Sequence, residues 1–219
     1  MTLDHDRILA LSYVPARRRP SVEALWRLDA ALGAVLSAGR EPLISQIKLA
    51  WWRDSLEKLD RERAPAEPAL QAAAQHILPA GVSGAELSQM EAAWTALLTP
   101  EPLSASDLET YASRGSLLFA FSARLLGDAA NPEITTAGEA WALADLARHS
   151  ANAADTEAAL TAARARLSQP PRRWPARLRP LGMLAALARR DTQWSGAAPE
   201  PQGSPRRMLR MLGHRLTGY

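Results

Sequence analysis

The sequence predicts a single all-α domain, and three observations support this fold class. Alanine, leucine, arginine and glutamate dominate the composition, whereas the β-branched and aromatic residues that favour strands are few. Hydrophobic residues make up 47% of the 219 residues, which is enough for one sizeable core. No segment alternates apolar and polar residues over the length of a strand. We therefore expect a single-domain helical bundle of roughly eight to ten helices.

Capping residues and prolines divide the first half of the chain into helices. Ser21 and Ser83 are good N-cap residues, and Pro15–Pro20 breaks the chain between the first two helices. Pro42 suits the first turn of the third helix, where no backbone donor is needed. The helices predicted for this half are Asp4–Leu11, Val22 to about Gly39, Glu41–Leu59, Ala69–Leu78 and Ser83–Leu98.

The second half follows the same pattern and ends on a separate helix. Ser106 and Asp155 are the expected N-caps of two of its helices. The helices predicted here are Ser106–Gly127, Pro132–Arg148, Asp155–Leu167, Leu181–Arg190 and Ser204–Leu216. Proline, glycine and serine in Thr192–Gly203 indicate a flexible linker. We therefore expect a helical domain (1–191), a linker (192–203) and a C-terminal helix (204–219).

The third helix, Glu41–Leu59, has the clearest apolar pattern. Two adjacent tryptophans rarely suit an exposed helix, because each ring must bury a large area and find a partner for its N–H. The pattern predicts either a central core helix or one wall of an apolar pocket. Its apolar face contains, at spacings of three and four, Ile44, Ile47, Trp51, Ser55 and Leu59, widened by Trp52 and Leu56.

The amino-acid sequence of this helix resembles that of a known family. Glu41–Leu56, with its Ile-Lys-Leu-Ala-Trp-Trp-Arg-Asp-Ser-Leu run, is similar to the second helix of squalene/phytoene synthases. It is closest to the branch that includes complex I assembly-factor-like proteins. Weaker similarities follow in the same order at Pro15–Arg19, Leu108–Ala112 and Ala137–Leu143. The resemblance runs from about Leu9 to Leu216 and implies the all-α fold of isoprenoid synthases.

Enzymes of that family condense two prenyl diphosphates, and they use two aspartate-rich helical motifs to hold Mg²⁺ against the diphosphates. Both motifs are missing here. The resemblance places the first at Gly33 and Ser37, and the second at His149, Asn152 and Ala153. It therefore implies a degenerate, prenyltransferase-like pseudoenzyme with no catalytic residues and no metal, and Mg²⁺ would be needed only by an enzyme.

Acidic residues near those positions do not rebuild the motifs. Asp29 stands alone on its helix, and Asp145 and Asp155 are too far apart in sequence to form a pair. The arginine- and tyrosine-containing segment that follows the second motif in the family is absent. A cavity between the helices either holds a lipid or is filled by side chains, for which the candidates are Trp26, Trp51, Trp94 and Phe121.

The resemblance also suggests residues that line the pocket or carry the family signature. They come from the third helix and from the start of the helix after Ser106. These residues are Glu41, Pro42, Trp51, Trp52, Arg53 and Tyr111. The four histidines are scattered with no metal-ligand neighbour at helical spacing, and the chain contains no cysteine, so neither a histidine metal site nor a disulfide is expected.

The C-terminal end is basic although the chain carries a net charge of only +3. The segment from Arg172 onward contains ten arginines and only two acidic residues, Asp191 and Glu200. The last helix has an apolar stripe of Pro205, Met208, Leu209, Met211, Leu212 and Leu216. Its opposite face carries Arg206, Arg207, Arg210 and His214. This helix either docks on its own domain with the arginines solvated, or contacts an anionic membrane or a partner through Arg206, Arg207, Arg210, Met208 and Leu212.

These patterns leave three functional hypotheses. The first is a non-catalytic binding or assembly protein, which by resemblance would help to build a respiratory complex at the membrane. The second is a divergent prenyl diphosphate-dependent transferase, and the third is a carrier of an isoprenoid lipid. Nucleic-acid binding is not expected, because no stacking aromatics accompany the arginines. The acidic start and the lack of a long apolar run predict a cytoplasmic protein, peripheral at the inner face of the membrane if the last helix binds there.

Overall fold

The computed structural model describes residues 3–38, 41–193 and 199–219, and these ranges confirm the all-α prediction. They contain helices and connecting turns but no strand. The end of the second helix near Gly39 lies outside the described residues. The helices are α1 (His5–Ser12), α2 (Arg19–Ala38), α3 (Pro42–Lys58), α4 (Pro68–Ala72), α5 (Gly84–Ser88), α6 (Met90–Thr95), α7 (Ala105–Leu125), α8 (Pro132–His149), α9 (Ala153–Arg166), α10 (Arg179–Thr192) and α11 (Pro205–Thr217).

Several helices begin at other residues than predicted, and at α7 and α9 a different side chain caps the first N–H groups. Helix α2 starts at Arg19, so Ser21 lies inside it rather than at its cap. Ser104, not Ser106, caps α7 through a reciprocal pair of hydrogen bonds with Asp107. The cap of α9 is Asn152, whose side-chain oxygen accepts from two backbone N–H groups.

Of the helix pairs that the structure describes, α7 and α8 make the most extensive contact. Gly115 and Gly138 meet at their crossing, and a Cβ built on either glycine would lie within 2.2 Å of the other's carbonyl oxygen. Only residues without a side chain allow two helix backbones to approach this closely. Helix α2 packs across α7 and buries Trp26 completely, with its indole N–H donating to Ser122 Oγ at 3.0 Å. This crossing fixes the side chains that α7 and α8 direct toward α2.

The predicted buried face of α3 is wrong in its first half. Ile44, Ile47 and Trp51 are 44%, 62% and 47% exposed, whereas the buried stripe contains Ser45, Leu49, Trp52, Ser55 and Leu56. Both stripes have helical spacing, so the sequence alone does not choose between them. The buried stripe faces α2 and α5: Ser45 Oγ donates to the Val35 carbonyl of α2 at 3.4 Å, and a Cβ on Gly84 of α5 would lie 2.1 Å from the Leu56 carbonyl oxygen.

The segment predicted as a flexible linker is only partly described, since residues 194–198 lie outside the described ranges. Thr192 belongs to α10, and residues 199–203 are held by hydrogen bonds. The Glu200 carbonyl accepts from Arg148 at 2.6 Å, and the N–H of Gly203 donates to Asp6 at 3.1 Å. These bonds tie the approach to α11 onto the helical domain. Among the described helices, none is both long and apolar enough to cross a membrane.

Candidate functional site

A fully buried arginine lies at the centre of the bundle. Arg114 of α7 has no exposed surface, and its Nε and Nη2 donate to the two carboxylate oxygens of Asp29 on α2, each at 2.8 Å. Its Nη1 donates to Asp145 on α8 at 2.8 Å and to the Tyr111 hydroxyl at 2.6 Å. Arg7 of α1 completes this central cluster by donating to Asp29 at 2.9 Å.

Aromatic rings enclose the guanidinium from both sides. The Arg114 guanidinium carbon lies 4.3 Å from the ring centre of Trp94 and 4.8 Å from that of Trp141. The negative faces of these rings favour a cation in a place from which water is excluded. The rings and the carboxylates together compensate the charge and the hydrogen-bond donors of Arg114 inside the core.

The ionisation of the central cluster follows from this geometry. Burial by itself lowers the pKa of Arg114, but the charge of Asp29, with help from Tyr111 and Asp145, holds it well above its ordinary value. Burial by itself raises the pKa of Asp145, but the charges of Arg114 and Arg7 outweigh that effect and hold the pKa at about 2. Burial raises the pKa of the Tyr111 hydroxyl. At neutral pH, Arg114 and Asp145 are therefore charged and Tyr111 is neutral.

A second buried cluster joins α11 to the domain. Arg207, which is 3% exposed, donates to Asp6 of α1 at 2.9 Å and to Asp191 of α10 at 2.5 Å. Arg148 of α8 donates to the other oxygen of Asp191 at 2.9 Å. A cavity of about 20 Å³, bordered by residues of both clusters, separates the second cluster from the central one. Its volume accommodates roughly one water molecule.

The positions assigned to the first acidic motif lie beside a tryptophan. A Cβ on Gly33 would come within 2.6 Å of the Trp94 ring, so Trp94 occupies the space that a side chain at Gly33 would need. Ser37 is exposed, and its hydroxyl donates back to the Gly33 carbonyl at 3.3 Å. Neither Gly33 nor Ser37 therefore provides a carboxylate to the central cluster.

The positions of the second motif have local roles at a helix junction. His149 is mostly exposed, and its Nδ1 lies 2.8 Å from the Asp145 carbonyl oxygen. Asn152 caps α9 and donates to Glu101 at 3.0 Å. Ala153 is exposed in the first turn of α9. Asp155, expected as the cap, is buried and accepts from the Leu103 N–H at 2.8 Å.

The signature residues divide between surface and core. Glu41, Pro42 and Arg53 are exposed, and Arg53 pairs with its neighbour Asp54 rather than with the interior. Trp51 is half exposed and packs edge-on against Trp52, which is buried. Tyr111 alone of this set belongs to the central cluster. Of the candidates to fill the cavity, Trp26 and Phe121 are buried and Trp94 is partly buried, but Trp51 is outside.

Helix α11 docks in a different orientation from the predicted one. Arg207, Met211 and His214 face inward, so the expectation that these arginines would all be solvated is wrong. The physical reason is that Asp6 and Asp191 provide buried partners for Arg207. The residues proposed for membrane or partner contact therefore differ in solvent exposure. Arg206 and Met208 are exposed, Arg210 and Leu212 are half-buried, and Arg207 is buried.

Sequence reasoning missed Arg114, although the sequence contained a signal for it. Arg114 interrupts the apolar stripe of α7 between Tyr111 and Leu118, just as Asp29 interrupts the stripe of α2. Single opposite charges on two apolar faces indicate a buried ion pair. From the sequence, Asp29 is described only as alone on its helix, and no role is predicted for Arg114.

The residues at this centre do not fit the magnesium site that the resemblance implies. Mg²⁺ needs carboxylate or other oxygen ligands in near-octahedral geometry. Asp29 and Asp145, the nearest acids, already bind Arg114. Within the described ranges, no group of three or more histidine, aspartate or glutamate side chains is arranged to hold a metal ion.

Comparison with known proteins gives one match. A model described as squalene/phytoene synthase matches residues 2–159. This span covers α1–α8 and part of α9, and it contains the whole central cluster, whereas α10 and α11 lie outside it. No curated protein and no solved structure matches the chain.

We expect Arg114→Met to lower the free energy of unfolding by about 3–5 kcal/mol, because it leaves Asp29 and Asp145 buried without their main counter-charge. The matched control is Arg53→Met, which breaks a solvated pair and should cost little. Urea unfolding followed by circular dichroism measures both. Equal effects of the two substitutions would show that the central cluster does not hold the fold.

Proposed function

We propose that this chain, which belongs to the squalene/phytoene synthase family, is a non-catalytic member that acts by binding at a membrane surface. The observation that carries the proposal is Arg114 itself. It supplies a fixed buried cation between Asp29 and Asp145, which lie on the same helices as Gly33 and His149. Carboxylates that are neutralised by an arginine are not free to bridge a metal ion to a diphosphate.

The cost of burying a diphosphate supports the same proposal. Several negative charges can leave water only when metal ions or cationic side chains compensate them. Arg114 and Arg7 already have carboxylate partners. The Trp94 ring against Gly33 also leaves no room for an acidic side chain there. The central region therefore favours a packed core over a prenyl-transfer site.

The outer face of α11 supports contact with a membrane surface. At about 100° per residue, Met208, Leu209, Leu212 and Leu216 lie opposite the buried Arg207–His214 side. Leu209 and Leu216 are 68% and 78% exposed. Arg206 lies on one flank of this apolar face and Arg215 on the other. An outward apolar face between arginines is typical of helices that lie in the headgroup region of an anionic membrane.

A narrower role, in the assembly of a respiratory complex, rests on the resemblance of Glu41–Leu56 to the complex I assembly-factor-like branch. The outward side of α3 supports a protein partner, because Leu43, Ile47 and Trp51 are exposed together on it. In this role the protein would act from the cytoplasmic side of the membrane, and no prenyl substrate is involved.

We expect calorimetry to detect no Mg²⁺-dependent binding of farnesyl or geranylgeranyl diphosphate to the purified protein, because its central acids are paired with Arg114. An active squalene or phytoene synthase, titrated under the same conditions, is the positive control. Tight binding that requires Mg²⁺ would contradict the proposal and make a divergent transferase the leading hypothesis.

We expect the protein to co-sediment with vesicles that contain phosphatidylglycerol and less with neutral vesicles. Leu209→Gln with Leu216→Gln should weaken this binding about tenfold or more, since each leucine contributes apolar area at the interface. The matched control is Leu43→Gln with Ile47→Gln on α3, where the side chains are similarly exposed, at 67% and 62%. Equal losses from the two pairs, or no vesicle binding at all, would exclude α11 as the contact.

The assembly role predicts that cells lacking the protein contain less assembled complex I. The measurement is complex I level and activity in membranes from a deletion strain, with re-expression of the wild-type chain as the control. Unchanged level and activity would exclude this role without affecting the membrane contact, which the vesicle experiment tests separately.

A further inference from the structure

A cavity of about 560 Å³ lies away from the central cluster, between the start of α8, the loop 167–178, α10 and α11. It is at the opposite end of α8 from His149, where the second motif of the family would be. Its volume falls within the range of about 300–1,000 Å³ that is common for small-molecule sites. Most of its wall comes from residues beyond the span that matches the family.

Three arginines in the wall, Arg173, Arg189 and Arg210, have no carboxylate partner among the described residues. Arg173 donates to the Thr217 carbonyl at 3.3 Å. Arg189 of α10 donates only to the carbonyls of Leu167 and Gln169, at 2.8 and 3.0 Å. Arg210 of α11 makes no hydrogen bond or ion pair within the same ranges. Burial lowers the pKa of Arg189, and the positive charge of Arg210 lowers it further. Two like charges that share one cavity favour an anion between them.

The acids around the same cavity are already neutralised. Glu133 accepts from Arg172, and Asp128 pairs with Arg177 at 3.2 Å. Arg166 is held by two glutamates on neighbouring helices. The side-chain charge that remains uncompensated in the described wall is therefore positive.

His214 is a second, independent sign of a missing ligand. It is 2% exposed, it lies in the cavity wall against Trp174, and neither ring nitrogen makes a hydrogen bond of normal geometry in the described structure, although the Tyr219 backbone interacts with the ring. Buried polar atoms without partners are rare in proteins and usually face a water, an ion or a ligand. The apolar part of the wall includes Ile134, Leu178 and Ala186.

We infer that this cavity binds an anionic amphiphile, a molecule with one negatively charged head and one apolar chain. The head lies between Arg189 and Arg210 within reach of His214, and the chain lies along Ile134, Leu178 and Trp174. The charged pair provides affinity for the head, and the apolar wall predicts weaker binding of an inorganic anion that lacks the chain. This inference does not depend on the proposed membrane contact, because the cavity lies on the inner side of α11.

The test uses dodecyl phosphate, below its critical micelle concentration, titrated into the full chain by calorimetry. We expect saturable binding of one molecule, and much weaker binding of inorganic phosphate, which lacks the chain, and of dodecanol, which lacks the charge. Arg189→Gln with Arg210→Gln should reduce the affinity about tenfold or more, as expected for losing charge-assisted hydrogen bonds. Arg61→Gln with Arg63→Gln, which removes two exposed charges elsewhere, is the matched control and should change it less than about twofold.

Two further variants keep the result interpretable. Ala137→Trp places a large side chain in the cavity wall and should also abolish binding while the circular dichroism spectrum is unchanged. Leu209→Gln with Leu216→Gln should leave dodecyl phosphate binding intact, which distinguishes the cavity from the outer face of α11. Absence of saturable binding, equal affinity for inorganic phosphate, or full affinity in the Arg189/Arg210 variant would each overturn the inference.

Discussion

The buried charge of Arg114 is the constraint on which the rest of the structure depends. A guanidinium with no exposed surface is tolerated only when its donors and its charge are compensated. Asp29 from α2 and Asp145 from α8 must therefore both lie within hydrogen-bond distance of the Arg114 guanidinium on α7. The glycine contact between α7 and α8 makes that approach possible, because a side chain at Gly115 or Gly138 would separate the helices. One cation thus fixes the relative positions of three helices.

The same constraint places a cation of the protein between acidic side chains of facing helices. A pair of facing acidic motifs would repel each other unless cations lay between them. In this chain the cation is part of the protein, so the central helices remain packed without a bound ion. Trp94 and Trp141 exclude water from the same place and strengthen the pairing. The features that stabilise this core are therefore the ones that argue against a diphosphate site there.

Charge and apolarity are distributed on α11 in the opposite way to most surface helices. Its inward side carries Arg207 and His214, and its outward side carries leucines. Arg207 is stabilised inside because acids from α1 and α10 converge on it. His214 has no such partner and lies in the wall of the large cavity. The two sides of this helix consequently suggest different interactions: a surface contact through the leucines and an enclosed ligand beside Arg210.

The sequence by itself determined the helical class and the approximate extent of most helices. These properties are local, since composition and capping residues can be read along the chain. It did not determine which stripe of α3 is buried, because Ile44–Ile47–Trp51 and Leu49–Trp52–Leu56 have the same helical spacing. Nor did it show that Asp29, Arg114 and Asp145 meet, since they are far apart in sequence and on different helices. Only the tertiary structure decided these points, because burial and charge compensation depend on which helix surfaces come together.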